Sequence, residues 1–184
     1  RRVFLPKETI RRACSILSQA EAEIRRATVM VADLRGFSRL ATELGPEGLA
    51  AYAQEFYELC TGAVLQRGGF VVSFIGDAVL AVFGAPVAFD GDTESAVLAG
   101  LDIRESCLQS NGSTHPMQVR IGISTGPVQA GTMETPQGTA YDLIGETVNL
   151  AARLQGAADT NELLICRGTA EIARRGFELE ETPP

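Results

Sequence analysis

Lysine is almost missing from this 184-residue chain: Lys7 stands alone, so nearly all positive charge is arginine. Positive charge is itself the minority, with 16 basic against 23 acidic residues and a formal net charge of −7. A field of that sign argues against nonspecific nucleic-acid binding and against an anionic membrane surface as main partners, because both need a basic patch. A polyanionic ligand must then be met by locally placed cations or metal ions. Cys14, Cys60, Cys107 and Cys166 form no C-x-x-C pair and have no histidines nearby, which removes zinc-site spacing. Such solitary thiols fit small core residues in a reducing compartment. The single histidine, His115, falls in the loop-like stretch NGSTHP and reads as solvent-facing. No apolar run approaches the ~18–20 residues of a membrane span, and no signal-peptide pattern opens the chain. We expect a cytoplasmic fragment with no membrane contact of its own. Its start at Arg1 points to a longer parent polypeptide, in which a membrane anchor remains open.

What is present is 45% hydrophobic residues, enough for one domain with a substantial core. Residues 7–26 read as a polar helix with Ile10, Leu17 and Ile24 seven apart and Ala13 and Ala20 between them, a short coiled-coil seam or a helix packed on its own domain. We take residues 1–26 as a linker helix and 27–184 as the domain proper. ATVMVADL, 27–34, is a β-rich run ending in an acid. Pro46 to Gln66 places Leu49, Tyr52, Ala53, Phe56 and Leu59 on one helix face. Gly68-Gly69 leads into FVVSFI, and Gly76-Asp77 turns the chain into AVLAVFG, a hairpin. A second helix spans 92–110, MQVRIGIST (117–125) alternates as a strand, and VQAGTM continues it. After TPQGTA the chain resumes at YDLIG, enters the helix ETVNLAARLQGAA, and ends with ELLIC and FELE as late strands around a short helix. The order β-α-β-β-α-β with an added arm, helix and strands is an α+β fold of the ferredoxin-like or polymerase-palm kind.

Asp33 ends the first strand and Asp77 occupies the hairpin turn. Neighbouring first and third strands can bring these carboxylates into one coordination sphere, and hard oxygen ligands suit Mg²⁺ or Mn²⁺; alone, a cap and a turn residue would explain them equally well. The turn Leu34-Arg35-Gly36-Phe37-Ser38 leads toward a helix, so its backbone N–H groups can cradle a triphosphate. Asn149 and Arg153 are four apart on one helix face, where an amide and a guanidinium can orient a sugar and neutralise phosphate, or simply face solvent.

VADLRGFSRL, GGFVVSFIGDAVLAVFG, RIGISTGPVQAG and YDLIGETVNLAAR together resemble, in order and in register, four motifs of the class III adenylyl/guanylyl cyclase family over roughly residues 27–170. The resemblance implies that Asp33 and Asp77, with the Leu34 carbonyl, bind two divalent metal ions. It implies that Arg120 contacts the triphosphate, Asn149 orients the ribose, Arg153 stabilises transition-state charge and Asp142 selects adenine. It implies a homodimer whose subunits share each site, ATP as substrate and an upstream regulatory domain in a signalling parent. Most adenylyl-specific members carry lysine where this chain has Ser73, so one base contact is lost. Guanylyl members pair glutamate there with a small residue at position 142, and neither is present. A late phosphate-binding lysine beyond FELE is also missing; either the sequence ends early or Arg120 and Arg153 carry the phosphates, with weak or manganese-dependent turnover. The alternative is a degenerate cyclase-homology domain that binds nucleotide and dimerises. A diguanylate cyclase would need a GG[DE]EF-like turn, and the hairpin reads F-I-G-D-A.

Overall fold

A strand that is apolar on both faces belongs in the middle of a sheet, and ATVMVADL is such a strand. In the computed structural model, which describes residues 22–110, 115–135 and 138–181, β1 (Glu23–Leu34) pairs antiparallel with β3 (Ala78–Phe83) on one edge and β4 (Val119–Thr135) on the other. β2 (Phe70–Ile75) and β5 (Gly138–Ile144) complete the path β2-β3-β1-β4-β5, and β6 (Glu162–Ile165) runs parallel to the first half of β4. Helices α1 (Phe37–Gln66), α2 (Asp92–Gln109), α3 (Glu146–Ala157) and α4 (Arg167–Ala173) alternate with the strands. The expected α+β architecture with its βαββαβ core and added arm is the observed one.

Alternation along β1 divides the core. Met30, Ala32 and Leu34 point to the face covered by α1 and α2, where Phe56, Cys60, Val64, Ile103 and Cys107 are buried. Burying one such side chain as large as Phe56 contributes about 1.5–3 kcal/mol. Ala27 and Val29 point to the other face, with Leu80, Val82, Val128, Ala130 and Leu143, and there α3 supplies Ala151. Phe70 of β2 and Tyr141 of β5 make an edge-to-face ring contact with centroids 5.4 Å apart, so the sheet curls until its two distant strands meet over that second face.

Helix α1 is broken where its sequence says it should be. Gly45 has φ 66 and ψ 175, a left-handed backbone that glycine adopts without the Cβ penalty, and Pro46 then starts the second segment, as expected. Tyr52, Ala53 and Phe56 are buried, with Leu49 and Leu59 packed at the rim.

Two expectations are corrected. Residues 23–26 are strand and not helix, because their backbone pairs with Pro127–Ala130 of β4; Ile24, placed in the helical seam, is 80% exposed. The rest of that seam lies outside the described residues. FELE, 177–180, forms no strand: Phe177 packs against the core, but its backbone pairs with no sheet edge.

Candidate functional site

The carboxyl end of β1 collects the chemistry. Asp33 stands opposite Ala78 of β3 and Arg120 of β4, and Asp77 immediately precedes Ala78 in the hairpin turn. The Leu34 amide donates to the Asp77 carbonyl at 3.1 Å, tying the two acid-bearing segments together. The Asp33 side chain is only 13% exposed. Burial pushes its carboxyl above the usual aspartate range; the hydrogen bond from Arg120 opposes this, and the charge of Asp77 adds to it. A bound cation would relieve both burial and repulsion.

Arg120 Nη2 donates to Asp33 Oδ2 at 2.6 Å and Gln155 Nε2 donates to the same oxygen at 3.0 Å. Gln155 is the residue that the reading of motifs missed. The usable signal was Gly122: a Cβ there would lie 2.1 Å from the Ala151 carbonyl oxygen and 2.3 Å from the Gln155 nitrogen. Glycine alone lets α3 approach β4 closely enough for Gln155 to reach Asp33.

The chain turns at Arg35, whose amide donates to the Gln118 carbonyl at 2.7 Å. Gly36 follows at φ 78 as the N-cap of α1, and no side chain caps that helix start. Phe37 and Ser38 open the helix, so its positive end lies two residues beyond Leu34 and three beyond Asp33. Ser73 is half-buried on β2 opposite Leu80, on the same sheet face as Asp33 by strand alternation.

The remaining expected residues lie elsewhere in the same chain. Asp142 is exposed on β5, opposite Gly131, eleven positions along β4 from Arg120. Its Oδ1 accepts from the next amide, Leu143, at 2.8 Å. Asn149 and Arg153 are on the exposed side of α3, where Arg153 pairs with Glu146. The chain therefore gathers Asp33, Asp77, Arg120 and the Gly36 turn at one end of the sheet, with Ser73 two strands away on the same face, and presents Asn149, Arg153 and Asp142 outward.

The donor set at Asp33 is spare. Among the described residues no group of three or more histidine, cysteine, aspartate or glutamate side chains converges on a metal position. Two carboxylates with a backbone carbonyl nearby nonetheless fit Mg²⁺ or Mn²⁺, which take few protein ligands and fill their coordination with water and substrate phosphate.

Residues 20–183 match the sequence model described as the Adenylate and Guanylate cyclase catalytic domain. "Adenylate cyclase 1" of Rhizobium meliloti (strain 1021) is 28% identical over 161 residues, covering 84% of this chain and 24% of that protein. The chain spans between 24% and 35% of the length of the first curated relatives it matches. Among solved structures, the adenylyl cyclase CyaB from P. aeruginosa superposes with a TM-score of 0.77 at 30% identity, covering 85% of this chain and 84% of that one. The guanylate cyclase domain of RhGC from Catenaria anguillulae in complex with GTP gives a TM-score of 0.80 at 26% identity, covering 85% and 87%. With nearly its whole length matched and its fold shared, this chain belongs to the adenylate and guanylate cyclase catalytic domain family.

Proposed function

We propose that this domain converts ATP to 3′,5′-cyclic AMP and pyrophosphate in a homodimer, as the output domain of a longer signalling protein. The observation that carries the proposal is the division of labour within one subunit: Asp33 and Asp77 meet at a sheet end, while Asn149 and Arg153 face outward from α3. A twofold partner that brings its α3 against the first subunit's acids makes two equivalent sites, each built from both chains.

Asp33, Asp77 and the Leu34 carbonyl would hold two divalent ions. When bound, these ions lower the pKa of the ribose 3′ hydroxyl and neutralise the triphosphate. The uncapped start of α1 and Arg120 bind phosphate oxygens. Asn149 orients the ribose so that its 3′ oxygen lies in line with the α-phosphorus and the departing pyrophosphate. Arg153 exchanges Glu146 for the charge developing on the phosphates. Asp142 accepts from the adenine exocyclic amine, which favours ATP over GTP. Ser73, where lysine would meet the base, is the one observation that favours the second reading, a weakly active or purely nucleotide-binding member of the family.

The test is to incubate the purified domain with ATP or GTP and Mn²⁺ or Mg²⁺ and to separate products by chromatography. Cyclic AMP should dominate, with Mn²⁺ supporting more turnover than Mg²⁺. Cyclic GMP as main product would overturn the role of Asp142, and a folded dimer that makes neither product would favour the second reading.

A further inference from the structure

Both hydrogen bonds on Asp33 end on one oxygen, Oδ2, and among the described residues Oδ1 receives none. The two donors differ in kind. Gln155 is neutral, and its backbone is held against Gly122 of β4. Arg120 is a cation, 20% exposed, that reaches Asp33 through a single nitrogen, while its Nε is buried with no hydrogen-bond partner. A one-pronged pair lacks the two parallel bonds that make arginine–carboxylate pairs strong, and an orphaned N–H in the same guanidinium gives it a reason to move to a better acceptor. A divalent ion at Asp33 is repelled by Arg120 and is indifferent to Gln155.

We propose that Arg120 is a displaceable latch on Asp33, and that Gln155 is the fixed anchor that keeps the carboxylate aimed once Arg120 has left. The proposal rests on reading Asp33 as a metal ligand. Arg120 occupies the carboxylate in the empty site; when a divalent ion takes Asp33, the guanidinium swings free and is offered to an anion. A polyphosphate that captures Arg120 raises the affinity for the ion, and the ion raises the affinity for the polyphosphate by the same factor. In this scheme Gln155 is a positioning residue, Arg120 passes from Asp33 to the polyphosphate, and the substrate and metal sites are coupled through that one side chain.

The experiment is Mn²⁺ binding to the nucleotide-free protein, read from the electron paramagnetic resonance signal of free Mn²⁺, with thermal melts to confirm folding of each variant. Arg120→Gln should bind Mn²⁺ about tenfold more tightly than wild type, because a like charge has been removed from a half-buried site. Arg120→Lys keeps the charge and should stay near wild type. Gln155→Leu should bind several-fold more weakly. Equal or weaker binding by a folded Arg120→Gln overturns the latch while leaving Asp33 as a metal ligand. Absence of Mn²⁺ binding in wild type and all variants overturns the metal reading itself. A second measurement needs no substitution: in arginine-labelled wild-type protein, the Arg120 Nε resonance should shift as Mg²⁺ is added. A resonance that stays put while Mg²⁺ binds would overturn the latch.

Discussion

Ser73 and Cys166 show how single side chains set behaviour here. Ser73 lies on the face that carries Asp33, and in the proposed site its short hydroxyl would take the place of a lysine that reaches a purine nitrogen. Ser73→Lys should raise the preference for ATP over GTP several-fold, in line with about 1 kcal/mol for one recovered hydrogen bond. Competition of the two nucleotides in one assay measures it, and an unchanged ratio would remove Ser73 from the base pocket. Burial alone would push the Cys166 thiol up, but hydrogen bonds from the Thr169 and Ser124 hydroxyls and from the Thr125 and Thr169 amides outweigh it and hold the thiol below its ordinary value. The thiolate is therefore populated at lower pH than usual. Cys107 is pushed up to about 12 by burial, and Cys60 is raised well above the normal range by burial and by Cys107. In a Cys14→Ser background, iodoacetamide should label Cys166 near neutral pH and leave Cys60 and Cys107 untouched until the protein unfolds. Mass spectrometry across a pH series checks this; labelling of Cys166 that begins only above the ordinary thiol range would contradict it.

At the scale of elements, the contact of α3 with β4 organises the site. Gly122 to alanine would drive a methyl into the backbone of Ala151 and Gln155, so α3 must shift. The expected loss of stability is about 1–3 kcal/mol or more, read as a lowered denaturation midpoint, together with loss of the Gln155 contact to Asp33. An unaltered midpoint would mean that α3 tolerates displacement and does not fix Gln155. The same contact explains what the sequence could and could not disclose. The closeness of Asp33 and Asp77 was legible, because βαββαβ order makes β1 and β3 neighbours, with Asp33 near the end of β1 and Asp77 just before the start of β3. Gln155 was missed, because its partner depends on how closely a helix sits on a sheet, which no local period encodes and to which only Gly122 pointed. Residues 23–26 misled for a related reason: Glu23, Ile24, Arg25 and Arg26 suit a helix locally, and the distant backbone of Pro127–Ala130 overrides that preference. FELE has strand-like alternation, but alternation makes a strand only where an edge pairs with it.

Across the whole molecule, the arrangement is the one that the proposed dimer requires. Asp33 and Asp77 are gathered at one end of the sheet, Asp142 sits far along the arm, and Asn149 and Arg153 look outward. The claim that each site draws its acids from one subunit and its amide and guanidinium from the other is tested most directly by complementation. Asp33→Asn and Arg153→Ala should each abolish cyclic AMP formation alone. Mixed and allowed to exchange subunits, they should recover about a quarter of wild-type activity, because half the dimers are mixed and each holds one intact site out of two. A mixture with demonstrated subunit exchange that stays as inactive as its components would contradict the shared site.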